Sequence, residues 1–247
     1  MKALLLALMA IGLPAAALAA RDVVSLNLCT DEALLTLAPH RAAAVSFLAR
    51  DPSLSVVAAA ARNVPAIRAD AEAVLALHPR LVLAGHYGAQ SVLVALRRTG
   101  VRVLTFGEPR SFAGIRSQWQ AIARVLGAKA HGKAAIAAMD AQLARPSAPR
   151  GTATWLEPGL ADAGVDSIEA AVLRHAGYRP VVRSDGLEAL VANPPRLLVV
   201  PAIPRFPSLA DALLTHPALA GIARKTVPAR FVVCPGPWTA TAVHLLR

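Results

Sequence analysis

The chain has 247 residues, 26 Lys and Arg against 15 Asp and Glu (a formal net charge of +11), and 55% hydrophobic but only 4% aromatic residues. The basic residues are scattered and form no stripe or recognisable nucleic-acid module, so the charge does not point to nucleic acid. Ala, Val and Leu must fill the core, and the length suits one large domain or two lobes.

Residues 1–19 read as a signal peptide: Lys2 precedes an uncharged apolar run, and Ala17-Leu18-Ala19 fits small-x-small cleavage. A periplasmic, exported protein is the expectation. No later run approaches the roughly 20 apolar residues of a spanning helix. Residues 20–110 then alternate strand and helix. VVSLNL (23–28) reads as a strand, followed by a helix capped by Thr30 or Asp31. AAAVSFL (42–48) reads as a second strand, and Asp51-Pro52-Ser53 as the start of a helix through Ala61. Next come a helix at EAVLAL, the strand RLVLAG (80–85), a helix over 91–100 closed by Gly100, and the strand VRVLTF (101–106). Such alternation implies a mostly parallel sheet.

Residues 111–150 change character. Two amphipathic helical stretches meet at Gly127 and stop at Pro146, long enough to connect two lobes. Residues 151–247 resume the alternation with the strand ATWLE (153–157), the helix DSIEAAVLRHAG (166–177), GLEALVANP, the strand RLLVVP (196–201), the helix LADALLTHPALAG and a final strand RFVVCP (230–235). The two halves share a phrase: EAVLALHPRLVLA at 72–84 and EALVANPPRLLVV at 188–200. Matching order around it indicates a duplicated α/β unit, hence two α/β lobes joined by a single long helix with a ligand cleft between them.

No catalytic set is legible. GAKAHGKA (127–134) imitates a phosphate loop, but Ala134 has no hydroxyl for magnesium and the segment follows a helix. There is no G-x-S-x-G elbow, and the seven histidines show no metal spacing. The expectation is a protein that is not an enzyme and carries neither metal nor cofactor, the competing reading being an exported enzyme or metal-site protein on the same two-lobed scaffold. In open parallel sheets, ligands bind beyond the carboxyl ends of the strands. The residues expected there are Cys29, Thr30, Asp31, Arg50, His86, Tyr87, Glu108, Gly159, Arg205, Phe206 and Trp238.

VVSLNLCTDEALL, EAVLALHPRLVLAG, VRVLTF, the connecting helix and GLEALVANPPRLLVV together resemble the periplasmic substrate-binding proteins of cobalamin, iron-siderophore and haem ABC importers, over roughly residues 22–246. The resemblance implies a monomeric binder of cobalamin, an iron-siderophore or a related metal chelate. It implies Glu72 and Glu188 as docking points for the two subunits of an ABC permease, and in a haem-binding version Tyr87 or His86 as axial ligand. Arg50 and Arg205 would meet carboxylates or phosphate, and Tyr87, Phe206 and Trp238 would offer flat apolar surface. Cys29 and Cys234 leave three arrangements open: a disulfide across the lobes, two free thiols near the ligand, or unrelated buried cysteines.

Overall fold

The computed structural model describes residues 21–161, 163–182, 186–202 and 208–247. The expected signal segment, Arg205 and Phe206 lie outside these residues. The N-terminal lobe runs β1 (Val23–Ser25), α1 (Leu28–Leu37), β2 (Ala42–Ser46), α2 (Ala58–Ala61), β3 (Ala66–Ile67), α3 (Ala71–Leu75), β4 (Leu81–Gly85), α4 (Gln90–Arg98) and β5 (Arg102–Phe106). Its sheet has the order β3-β2-β1-β4-β5, every pairing parallel. β1, β2 and β4 are buried along their whole length, which is why they read as apolar runs instead of alternating patterns.

Two boundaries differ from expectation for local reasons. β1 ends at Ser25 because Asn27, not Thr30 or Asp31, caps α1, its Oδ1 accepting the Thr30 N–H at 3.2 Å. The helix expected from Asp51 shrinks to α2. The Asp51 carboxylate accepts the Ser53 N–H at 2.8 Å, closing a turn two residues on instead of opening a helix.

The connecting segment holds α5 (Phe112–Val125) and α6 (Lys129–Leu143). They fold back on each other: Arg116 pairs with Asp140 at 2.6 Å, and Gly132 lies against Ala123. Gly127, at φ +70°, makes the reversal. α6 is the bridge, roughly 22 Å long at 1.5 Å per residue. Gly132 near its start sits beside Leu37 of α1, and the Gln142 carbonyl near its end accepts from the Arg247 guanidinium at 3.1 Å.

The C-terminal lobe comprises β6 (Gly151–Trp155), α7 (Ile168–His175), β7 (Tyr178–Pro180), α8 (Gly186–Ala192), β8 (Leu197–Pro201), α9 (Leu209–Leu213), β9 (Arg224–Val227) and α10 (Thr239–Leu246). Its sheet order is β7-β6-β8-β9, again parallel throughout. The closing strand is β9, not RFVVCP. Pro228 ends β9, and the Ala229 carbonyl takes the N–H groups of Val232 and Val233 at 2.9 and 2.8 Å, so this β-branched run forms a tight turn.

The repeated phrase is a repeated unit. α3 leads into β4 and α8 into β8; β4 pairs with β1 and β5 as β8 pairs with β6 and β9. β8 starts 116 residues after β4 (197 − 81), the same offset that separates Glu188 from Glu72 (188 − 72). One continuous apolar cluster spans both lobes, with Ile115, Trp119, Trp155, Val172 and Val243 among its buried members.

Candidate ligand cleft between the lobes

The carboxyl ends of β4, β5, β6 and β8 open on a common cavity of about 640 Å³. That volume falls in the range of small-molecule sites, at the place where open α/β sheets bind ligands. His86, Tyr87, Glu108 and Arg110 enter from the N-terminal lobe; Trp155, Glu157, Glu169 and Val232 enter from the other. A recess of about 40 Å³ adjoins it, lined by Cys29, Thr30, Phe106 and Gln118 and sharing His86, Tyr87 and Glu108 with the main cavity.

Local structure explains these placements. The His86 N–H donates to the Phe106 carbonyl at 3.0 Å, extending the β4–β5 ladder one step past the strand. Gln90 Nε2 donates back to the His86 carbonyl at 2.7 Å, and Gly88 and Ala89 take positive φ (80° and 52°), so the chain doubles over and leaves Tyr87 83% exposed. Gly85 allows the close approach of Asn27, whose amide nitrogen would stand 2.6 Å from a Cβ there. On the opposite wall the Leu156 N–H bonds to the Val199 carbonyl at 2.9 Å, carrying β6 out to Glu157. Ser167 caps α7, accepting the Ala170 N–H at 3.1 Å, and sets Glu169 in the first turn of that helix.

The electrostatics of this wall are distinctive. The Glu157 carboxyl is raised above the usual range, first by burial and then by the charge of Glu169, with a smaller opposing pull from the Trp155 indole. Trp155 itself is 2% exposed, and its Nε1–H has no hydrogen-bond partner among the described residues.

Five of the residues expected at the cleft thus come together: Cys29, Thr30, His86, Tyr87 and Glu108. Four others do not line it. Asp31 is fully buried in α1, accepting from the Ser46 N–H at 3.1 Å and from the Ser46 hydroxyl. Arg50 is pinned to the Val64 carbonyl at 2.7 Å. Gly159 lies in an exposed turn at φ +83°, beside Ala210. Trp238 stacks edge-on to Trp119 with ring centroids 5.3 Å apart, its Nε1 donating to the Cys234 carbonyl at 2.9 Å. Of the arrangements open to the cysteines, the structure has the disulfide: Cys29 and Cys234 are bonded, with Cα atoms 4.9 Å apart. Glu72 and Glu188 are exposed, each in the first turn of its helix, where the dipole favours a carboxylate.

The sequence reading missed Trp155, Glu157 and Glu169. The strand-end rule applied one residue earlier would have reached Glu157, since ATWLE ends on it.

This arrangement, two parallel α/β units facing one cavity and bridged by a helix, is that of a two-lobed binding protein. The family model for periplasmic binding proteins matches residues 23–223, and the chain belongs to that family. No curated protein matches it significantly. Among solved structures, a periplasmic heme binding protein from Pseudomonas aeruginosa is similar with a TM-score of 0.70 and 22% identity, covering 92% of this chain and 91% of that one. A possible iron-binding, periplasmic solute-binding protein from Staphylococcus epidermidis has a TM-score of 0.73 at 17% identity, covering 92% and 97%. An ABC-type Fe3+-hydroxamate transport system from Saccharomonospora viridis has 0.68 at 19%, covering 92% and 91%. These likenesses are of fold. No helix among the described residues is long and apolar enough to cross a membrane.

Proposed function

We propose that this chain is the solute-binding component of an ABC importer, working in the periplasm without catalysis of its own. It takes a metal chelate (an iron-siderophore or a corrinoid such as cobalamin) into the inter-lobe cleft and hands it to a two-subunit permease through Glu72 and Glu188. The observation that carries this reading is the 640 Å³ cavity at the carboxyl ends of four strands, shared by two lobes that one apolar core and one disulfide hold together. The solved relatives described as iron-hydroxamate and heme proteins support the ligand class. Native mass spectrometry of the protein taken from its own periplasm tests it. A chelate travelling with the chain, and saturable quenching of Trp155 fluorescence when chelate is added back, are expected. Failure of every iron or cobalt chelate to bind, or turnover of a bound one, overturns it.

Haem is a second reading, favoured by Tyr87: a phenol 83% exposed at the cavity mouth can ligate ferric iron. Titration with haemin should then give a shifted Soret band that Tyr87→Phe removes; an unshifted band in the wild-type protein ends this version.

A further inference from the structure

The chain is strongly basic, at a formal +11, yet its cleft is not. Among the described lining residues stand three carboxylates, Glu108, Glu157 and Glu169, against the single guanidinium of Arg110. The Arg110 Nε is already committed to the Asp166 carbonyl at 2.7 Å. Among the described residues the ion pairs lie elsewhere, at Arg41–Asp22 and Arg116–Asp140, and none involves a cleft carboxylate. The second observation is the Trp155 indole. It lines the same cavity and is 98% buried, and among the described residues its N–H makes no well-formed hydrogen bond, Glu157 being near enough only for a weak pull. A buried donor without a well-formed bond costs free energy that a better-placed ligand acceptor would recover.

Together these features describe a complementary guest. We infer that the cleft selects a metal chelate of positive charge, one presenting a protonated amine to Glu157 and Glu169 and an oxygen acceptor to the Trp155 N–H. The inference rests on the chelate-binding reading above and narrows it. A cation between Glu157 and Glu169 removes their mutual repulsion, and beside buried groups each charge-assisted bond is stronger than the same bond in water. An anionic chelate meets the opposite: its carboxylates would face carboxylates, a like-charge contact that disfavours the wrong partner.

Ferrioxamine B, a ferric trihydroxamate with a free ammonium, and its N-acetylated form, which keeps the hydroxamate oxygens but loses the charge, make the test. Binding of each is measured by tryptophan quenching to the wild-type protein, to Glu157→Gln/Glu169→Gln and to Trp155→Phe, with circular dichroism confirming that each variant is folded. The wild-type protein is expected to prefer the ammonium form about tenfold or more, the worth of one charge-assisted hydrogen bond. The double glutamine variant should bind both forms alike. Trp155→Phe should weaken both forms by a similar factor, because both keep the acceptor; quenching of the remaining tryptophans or filtration of labelled iron reads this variant. Equal binding to the wild type, a preference for the acetylated form, or a preference that survives the double substitution overturns the inference. If neither ferrioxamine binds while haemin or cyanocobalamin does, the inference falls and the chelate reading stands. If no chelate binds, both fall.

Discussion

Cys29, in the first turn of α1, is bonded to Cys234, in the turn before α10, so one covalent link joins the two lobes across 205 residues of sequence. It does not act alone: Arg230 donates to the Pro52 carbonyl at 3.2 Å, and Trp119 of α5 packs edge-on against Trp238. Cys29 also borders the small recess of the cleft, so the link that holds the lobes sits beside the site they share.

Breaking that link should cost stability. A cross-link closing so long a loop restricts the unfolded chain strongly, and Cys29→Ser/Cys234→Ser is expected to lose about 2–4 kcal/mol. Guanidinium denaturation of wild type and variant, each with and without reductant, measures it. Reductant should destabilise the wild type alone; if it leaves the wild-type midpoint unchanged, the two sulfurs do not stabilise the fold as argued.

The buried acids of α1 predict a pH dependence. Burial pushes Asp31 up to about 7 against the bonds it accepts from Ser46. It pushes Glu32 up to about 8, with the neighbouring Asp31 charge adding to the rise. Glu32 Oε1 accepts the Val56 N–H at 2.8 Å, while Oε2 has no hydrogen-bond partner among the described residues. Both groups hold protons more tightly in the folded than in the unfolded chain. Their stabilising contribution is therefore complete below about pH 4 and is lost as pH rises through 7 to 8. Denaturation at a series of pH values should show unfolding free energy falling between about pH 5 and 8 by on the order of 1–3 kcal/mol, with Glu32→Gln flattening the fall. A profile that rises across this window in the wild type would contradict the burial argument.

How much of this was legible in the sequence depended on the range of the controlling interaction. The α3–β4 and α8–β8 repeat was readable because apolar periodicity and a constant 116-residue offset are written in the chain itself (197 − 81). Asp31 was misplaced because the strand ahead of it ends early: Asn27 starts the helix, which turns Asp31 inward beneath Ser46. FVVC resembled a strand by composition, but Pro228 and the Ala229 carbonyl decide its shape locally. The acidic wall was least visible. Glu157 and Glu169 stand 12 residues apart (169 − 157), and only the passage from β6 into α7 brings them to one cavity.

Gly132 illustrates a motif whose meaning changed with the fold. It belongs to the phosphate-loop lookalike GAKAHGKA, yet it is a contact point in the α5–α6 pair, where an added Cβ would stand 2.5 Å from the Ala123 Cβ. Gly132→Ala gains up to about 1 kcal/mol of helix propensity but must force the helices apart, at roughly 1–3 kcal/mol. A net loss of about 1 kcal/mol is expected by thermal or chemical denaturation. Gly221→Ala, which meets nothing within 4 Å, should be near neutral. A stabilised Gly132→Ala would show that the helix pair is looser than its contacts imply.

The twin glutamates carry the last prediction. Glu72 and Glu188 occupy equivalent first turns of α3 and α8, both exposed, and neither lines the cavity. A permease of two like subunits would be matched by two like carboxylates, each pairing with a guanidinium to fix orientation and speed encounter. Glu72→Arg/Glu188→Arg should therefore leave chelate affinity within about twofold of wild type, because the charges act on a different surface from the ligand. Uptake by the cognate permease in proteoliposomes should fall at least about tenfold, the cost of turning even one charge-assisted contact into repulsion. Each single reversal should lose part of that activity, and placing glutamates at the facing permease positions should restore some of it. A fall in chelate affinity with transport otherwise intact would place these glutamates with the ligand and leave the permease to dock elsewhere.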